Sequence, residues 1–279
     1  MPDIAFINGR FLPWKEATVS IDDRGFQFGD GVYEVVRTYR GVPFEFEAHL
    51  GRLNRSAQEL RIVQPYSRLE WTRWIDQGLS QAGYREAKVY IQITRGTAPR
   101  DHAFPLDIPP TVVMTIRELH PLSVEIRGAG VTACTCEDFR WGRCDIKSLN
   151  LLGNVLAREE ARKAGVFEAI LVKDGLVTEG SLSNVMAVQA GTIVTAPESA
   201  RILSGVTRTV VLGLAESEQI PVEERFLSVE ELYRADEVFL TGTTIEVLGV
   251  IRVDGRTIGP GRPGPITKAL AARWAILTG

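Results

Sequence analysis

The sequence predicts a mixed α/β (α+β) fold in two domains, and three observations predict it. Segments with period-2 hydrophobic alternation interleave with segments of helical periodicity along most of the chain. Short turn signals built on Gly, Asn and Asp separate them. The pattern pauses once, at Leu119-His120-Pro121-Leu122, which is the expected linker. The expected domains are therefore residues 1–119 and 123–279, joined through 120–122. With 279 residues the chain is long enough for two medium domains, each with its own core.

In chain order, Asn8-Gly9 sits between two short apolar runs and predicts a tight hairpin turn. Val32 to Tyr39 is a β-rich run, expected to turn at Arg40-Gly41 and return through Val42 to Phe46. Residues 47–63 place Leu50, Leu53, Ala57 and Leu60 on one helical face. Ser67 and Glu70 form a capping-box pattern that starts a helix towards Gln81. Val89–Thr94 and Thr111–Ile116 are expected strands joined by a long loop rich in Pro, Arg and His. A loop of that length in a compact domain is usually functional.

After the linker, Val131 to Cys136 alternates as a strand, and a helix is expected over about 149–164. Ala169–Val172 and Leu176–Thr178 should pair around Asp174-Gly175. Ser183–Gln189 and Thr192–Thr195 follow as strands, and Ser204–Glu218 as a helix. A second capping box, Ser228 with Glu231, opens a short helix before the strand Glu237–Thr241.

Composition narrows the function. Apolar residues at 44%, charged residues at 24% and a net charge of -3 describe an ordinary soluble protein with no electrostatic reason to bind nucleic acid or an anionic membrane. The acidic, weakly apolar start Met1-Pro2-Asp3 is unlike a signal peptide, and no run reaches membrane-spanning length, so a cytoplasmic location is expected. Three cysteines argue against a disulfide framework. Cys134-x-Cys136 lacks the partners of a metal site and is read as part of a strand, so no metal is expected.

Two residues suggest chemistry. Lys147, flanked by Ile146 and Leu149, is an amine placed for partial desolvation, which favours its neutral, nucleophilic form. Glu179, in Val177-Thr178-Glu179-Gly180-Ser181, is a carboxylate able to hold a protonated ring nitrogen. Pyridoxal phosphate enzymes need this pair: a lysine for the Schiff base and an acid that keeps the pyridinium charged. Either residue alone is most simply a surface lysine or a turn glutamate.

The wording around them decides. Asp23-Arg24-Gly25-Phe26-Gln27-Phe28-Gly29-Asp30-Gly31-Val32-Tyr33-Glu34, Thr94-Arg95-Gly96-Thr97-Ala98-Pro99-Arg100-Asp101-His102, Arg140 to Leu152, and Thr178-Glu179-Gly180-Ser181-Leu182-Ser183-Asn184 spread over most of the chain. In content, order and approximate spacing they resemble the fold-type IV pyridoxal phosphate aminotransferases, nearest to the branch that acts on D-amino acids. The resemblance implies a smaller N-terminal and a larger C-terminal domain, with pyridoxal 5'-phosphate at their interface.

It also implies roles residue by residue. Lys147 would bond the cofactor aldehyde and move the substrate proton, and Glu179 would pair with the pyridine nitrogen. Arg52, Val206, Thr207 and Thr243 would serve the phosphate, with a guanidinium fork and a helix start suited to a dianion. Arg140 would lie near the ring oxygen and Leu203 against the ring face. Tyr33, Arg100 and His102 would bind the substrate α-carboxylate, the last two from the neighbouring subunit of a homodimer.

The expected reaction is a ping-pong transamination of D-amino acids such as D-alanine or D-glutamate with 2-oxoglutarate or pyruvate. Three positions depart from the branch: Gly242 where a serine is expected, Leu182 in place of a small polar residue, and Gly142 in place of a bulkier apolar one. The alternatives are an L-branched-chain or R-amine aminotransferase, or aminodeoxychorismate lyase. The Arg100-x-His102 trap argues against an amine substrate, which brings no carboxylate.

Overall fold

Asn8 and Gly9 both take positive φ (46° and 88°), the backbone of a type I′ turn, and so join β1 (Ile4–Ile7) to β2 (Arg10–Leu12) in the antiparallel register expected from the sequence. The computed structural model describes residues 3–279; Met1 and Pro2, the start of the N-terminal reading, lie outside them. A short helix, α1 (Arg24–Phe28), follows, capped by the Asp23 side chain on Gly25 N and closed by Gly29 at φ 67°. It leads into β3 (Gly31–Tyr39). The expected return strand shrinks to β4 (Val42–Pro43), because Pro43 offers no amide to extend the ladder and Glu45 turns left-handed at φ 51°.

Next come α2 (Phe46–Glu59) and α3 (Arg68–Ala82). The Ser67–Glu70 capping box is formed reciprocally at the start of α3. α2 stops short of residue 63 because Arg61 adopts φ 54° and Ile62 N donates back to Ala57 O. β5 (Ala87–Thr94) and β6 (Thr111–Glu118) complete a sheet ordered β2-β1-β6-β5-β3-β4. Leu50, Leu53, Trp71 and Ile75 pack with Val36, Val89 and Ile91 in its core. Burying each such large side chain contributes about 1.5–3 kcal/mol.

In the second unit, α4 (Val124–Ala129) precedes β7 (Val131–Glu137), and α5 (Leu152–Lys163) precedes β8 (Glu168–Lys173) and β9 (Leu176–Gly180). Then follow β10 (Asn184–Gln189), β11 (Thr192–Thr195), α6 (Val206–Ser217), β12 (Val222–Glu224), β13 (Leu227–Ser228) and α7 (Val229–Tyr233). β14 (Glu237–Gly242), β15 (Glu246–Val253), β16 (Arg256–Thr257) and α8 (Pro265–Thr278) finish the chain. The strands form one sheet, β12-β11-β10-β14-β15-β7-β8-β9-β13, with β16 beside β15. Most pairs are antiparallel; β7 runs parallel to both β8 and β15, and β11 to β12. Its strands bury near-continuous apolar runs, as in Val185–Val188 and Val238–Leu240.

The division between the units falls between His120 and Pro121. One stretch departs from the simple two-part division: Ile146–Asn150 groups with the first unit, not with its sequence neighbours. Backbone bonds explain it, since Tyr33 N donates to Lys147 O at 2.9 Å and Leu149 N to Gly31 O at 2.9 Å. Ser148 thereby bridges Val32, and the helix expected from about 149 begins only at Leu152.

Candidate active site

In the first unit Lys147 is placed by its main chain. Besides the bonds to β3, its amide donates to Ser56 Oγ on α2 at 3.1 Å. The side chain is half-buried, and Nζ lies 4.3 Å from the centre of the Tyr33 ring. Ile146 is buried, as the flanking apolar residues suggested. Tyr33 stacks on Tyr90 at 5.7 Å between centroids, and burial, with Tyr33 alongside, pushes the Tyr90 phenol up to about 12. Tyr90 therefore keeps its proton and donates it to Gln92 Oε1 at 2.7 Å.

Beside this lies an ion cluster that the sequence reading did not anticipate. Glu34, fully buried on β3, accepts from Arg52 Nε at 3.0 Å and Nη2 at 2.7 Å, and contacts His49 Nδ1 at 3.0 Å. Burial alone would push the Glu34 carboxyl up. The Arg52 guanidinium and His49 outweigh it and hold the group far below the usual carboxylate range. Arg52 is 4% exposed, so its charge is buried on Glu34 and not left to solvent.

The signal for this cluster was available. Val32, Glu34 and Val36 share one face of a period-2 strand, and His49, Arg52 and Ser56 lie with Leu53 on one face of α2.

Arg100 and His102 are exposed on the connection between β5 and β6. Both meet the Phe28 ring: the Arg100 guanidinium carbon lies 4.5 Å from its centre, and the His102 ring 5.4 Å from it. The fold thus brings Lys147 and Tyr33 together at β3, and Arg100 and His102 together at α1.

In the second unit Glu179 is 5% exposed on β9. Its carboxylate accepts from Arg140 Nη1, from Asn184 Nδ2 at 3.0 Å and from Leu203 N at 3.1 Å. Arg140, expected near a ring oxygen, forks onto Asp138 at 2.9 and 2.8 Å as well as reaching Glu179. Burial opposes the Arg140 charge, but the two carboxylates outweigh it and hold the guanidinium above its usual value. Burial likewise pushes Asp138 up, and Arg140 and Thr178 bring it below its usual value. Glu179 thus keeps a fixed orientation with partners that stabilise its charge.

Asn184 ties this carboxylate to the next feature. Its amide also donates to Leu203 O at 2.9 Å, and its oxygen packs on Gly205, where a Cβ would sit only 2.0 Å away. Gly205 is the N-cap of α6, and Val206 and Thr207 form its buried first turn. The first amides of a helix lack intrahelical acceptors and favour an anion. Thr243 is half-buried in the turn between β14 and β15. Next to it Gly242 has room for a Cβ only with a 3.2 Å approach to Ile245, and the buried Thr241 hydroxyl has no hydrogen-bond partner among the described residues. Leu182 is 67% exposed between Ser181 and Ser183, whose hydroxyls both donate to buried Glu168 at 2.5 and 2.8 Å.

This donor set suits pyridoxal phosphate. A half-buried primary amine fits the aldehyde, a buried carboxylate oriented by Arg140 and Asn184 fits a protonated ring nitrogen, and a helix start with hydroxyls fits a phosphate.

Comparison with known proteins agrees. The family model described as amino-transferase class IV matches residues 31–253. The chain is 45% identical over 261 residues to D-alanine aminotransferase of Bacillus licheniformis, covering 94% of this chain and 92% of that protein. It is 43% identical over 265 residues to D-alanine aminotransferase of Staphylococcus haemolyticus, covering 95% and 94%. Among solved structures, the Escherichia coli branched-chain amino acid aminotransferase matches with a TM-score of 0.91 at 28% identity, over 100% of this chain and 95% of that one. A second branched-chain amino acid aminotransferase, from T.th. and solved with pyridoxamine 5'-phosphate, matches with a TM-score of 0.93 at 29% identity, over 99% and 93%.

Proposed function

The chain belongs to the class IV aminotransferases, and from that membership we propose that it moves the amino group of a D-amino acid, of D-alanine or D-glutamate type, to 2-oxoglutarate or pyruvate with pyridoxal phosphate as cofactor. The observation that carries the D-amino acid reading is the contrast in identity. It is 43–45% to D-alanine aminotransferases over more than nine-tenths of the chain, against 28–29% to the branched-chain enzymes. The pairing of Arg100 with His102 supports it.

When bound, pyridoxal phosphate supplies the aldehyde that takes up the amino group and a ring that accepts electrons from Cα. Lys147 would present the amine for the aldehyde and would carry the proton at the substrate Cα. Glu179, oriented by Arg140 and Asn184, holds a proton on the ring nitrogen. Val206 and Thr207 at the α6 start, with Thr243 and Arg52, would hold the phosphate. Leu203 would pack against the ring face, and Arg140, paired with Asp138 and Glu179, would lie near the ring oxygen. The donor leaves as its 2-oxo acid before the acceptor enters.

Tyr33, Arg100 and His102 bind the α-carboxylate. Fixing the carboxylate on that side presents the D-enantiomer's Cα–H to Lys147. In this reading Arg100 and His102 complete the site of the second subunit of a homodimer. A cytoplasmic setting suits the three free thiols.

The test is the half-reaction without acceptor. The purified yellow protein is mixed separately with D-alanine, L-leucine and R-1-phenylethylamine, and the absorption spectrum is followed. Loss of the yellow band with D-alanine alone supports the proposal. Loss mainly with L-leucine keeps the family and overturns the hand, the outcome that the branched-chain structural relatives favour.

A further inference from the structure

Arg100 and His102 are exposed side chains on a long connection, yet a carboxylate trap needs them held. Their support comes from α1. Arg24, 3% exposed, donates from Nη1 to Asp101 O at 2.5 Å and from Nη2 to His102 O at 3.4 Å. Its Nε is on Asp30 Oδ2 at 2.8 Å, and Asp30 also takes Arg95 Nε at 2.8 Å and Nη2 at 3.0 Å. Arg24 is thus a fixed frame for the main chain at residues 101 and 102, with its own charge already answered by Asp30.

Phe28, at the other end of α1, meets the two side chains. Its ring lies 4.5 Å from the Arg100 guanidinium carbon, 4.9 Å from that of Arg24 and 5.4 Å from the His102 ring. The mode of contact matters. A cation–π contact holds a guanidinium through its charge and so leaves its hydrogen-bond donors unspent. A carboxylate partner would hold Arg100 equally well but consume the donors a substrate carboxylate needs. The hydrogen bond Arg100 makes to Gln27 O is long, at 3.5 Å.

We propose that α1 is the platform of the carboxylate trap, with Arg24 and Phe28 as positioning residues: Arg24 fixes the loop backbone, and Phe28 orients Arg100 and His102 with their donors outward. The proposal rests on the carboxylate role given to Arg100 and His102 above.

The test uses holoenzyme and two readouts, the KM for D-alanine and the competitive Ki of propionate, which carries the carboxylate but no reacting amine. Phe28→Leu and Arg24→Lys are expected to raise both by about three- to tenfold, the effect falling on KM more than on kcat. Phe28→Tyr, which keeps the ring, is expected to restore both to within about twofold. In an Arg100→Ala/His102→Ala background, Phe28→Leu should add nothing further, because the groups it positions are gone.

If Phe28→Leu matches wild type, or its effect persists in that background, the platform is overturned while the trap stands. If Arg100→Ala/His102→Ala itself leaves KM and Ki unchanged, the trap reading falls and the platform with it. Should Arg24→Lys fail to fold, Phe28→Leu and Phe28→Tyr decide the question.

Discussion

Glu179 and Glu34 are both buried carboxylates, and their surroundings give them different tasks. Glu179 accepts from Arg140, Asn184 and Leu203 N, partners that aim it without removing its charge. Glu179→Gln is expected to lower kcat by about a hundredfold or more, the range of a lost general or electrostatic contribution, while changing cofactor affinity far less. Single-turnover rates beside a cofactor titration would check this.

Glu34 is a folding residue as much as a site residue, since breaking a buried pair strands its partner. Glu34→Gln is expected to destabilise by about 3–5 kcal/mol, read as a lowered midpoint in urea. The pH dependence follows from the same group. Its folded-state pKa lies well below the ordinary 4.5, so its contribution is fully present above about 4.5 and is lost as pH falls towards the folded value. Urea midpoints measured between pH 7 and pH 3 should fall more steeply in wild type than in Glu34→Gln.

At the scale of elements, α6 and α3 make opposite cases. Gly205 starts α6 against Asn184, and a methyl group there would meet Asn184 Oδ1 at 2.0 Å. Gly205→Ala is therefore expected to displace Asn184 and with it the Glu179 carboxylate and the helix start together. Cofactor affinity should drop by about tenfold or more, measured by release of yellow cofactor on dilution. The α3 capping box has no such reach. Ser67→Ala should cost about 1 kcal/mol of stability and leave KM and kcat as they are, because Ser67 and Glu70 sit on an exposed helix start.

For the whole molecule, the proposed exchange of Arg100 and His102 between subunits has a consequence that no single site shows. Arg100→Ala and Lys147→Ala are each expected to be nearly inactive with D-alanine at low substrate. Unfolded together and refolded as a mixture, half of the dimers would carry one of each chain, and one site in each of those would hold both an intact Lys147 and an intact Arg100. Activity should return to about one quarter of the wild-type value. No recovery would show that each chain completes its own site, or that it works alone.

Some of this was written locally in the chain. The Asn8-Gly9 hairpin, both capping boxes, the β8–β9 hairpin and the strand ending near Cys136 follow from turn chemistry and periodicity, which act over a few residues. The family was equally legible, because its wording sits in four unbroken stretches that include Lys147 and Glu179. Other features depended on residues far apart in sequence. That Arg52 is buried on Glu34, that Arg140 reaches Glu179, and that Asn184 binds Leu203 ahead of α6 are pairings across 18, 39 and 19 residues. The seating of Ile146–Asn150 on β3 is another, and it cut short a helix that periodicity alone would have extended. Local sequence determines which backbone shape is cheap. Only the tertiary structure decides where a charge finds its partner, because a buried charge costs several kcal/mol until a distant group answers it.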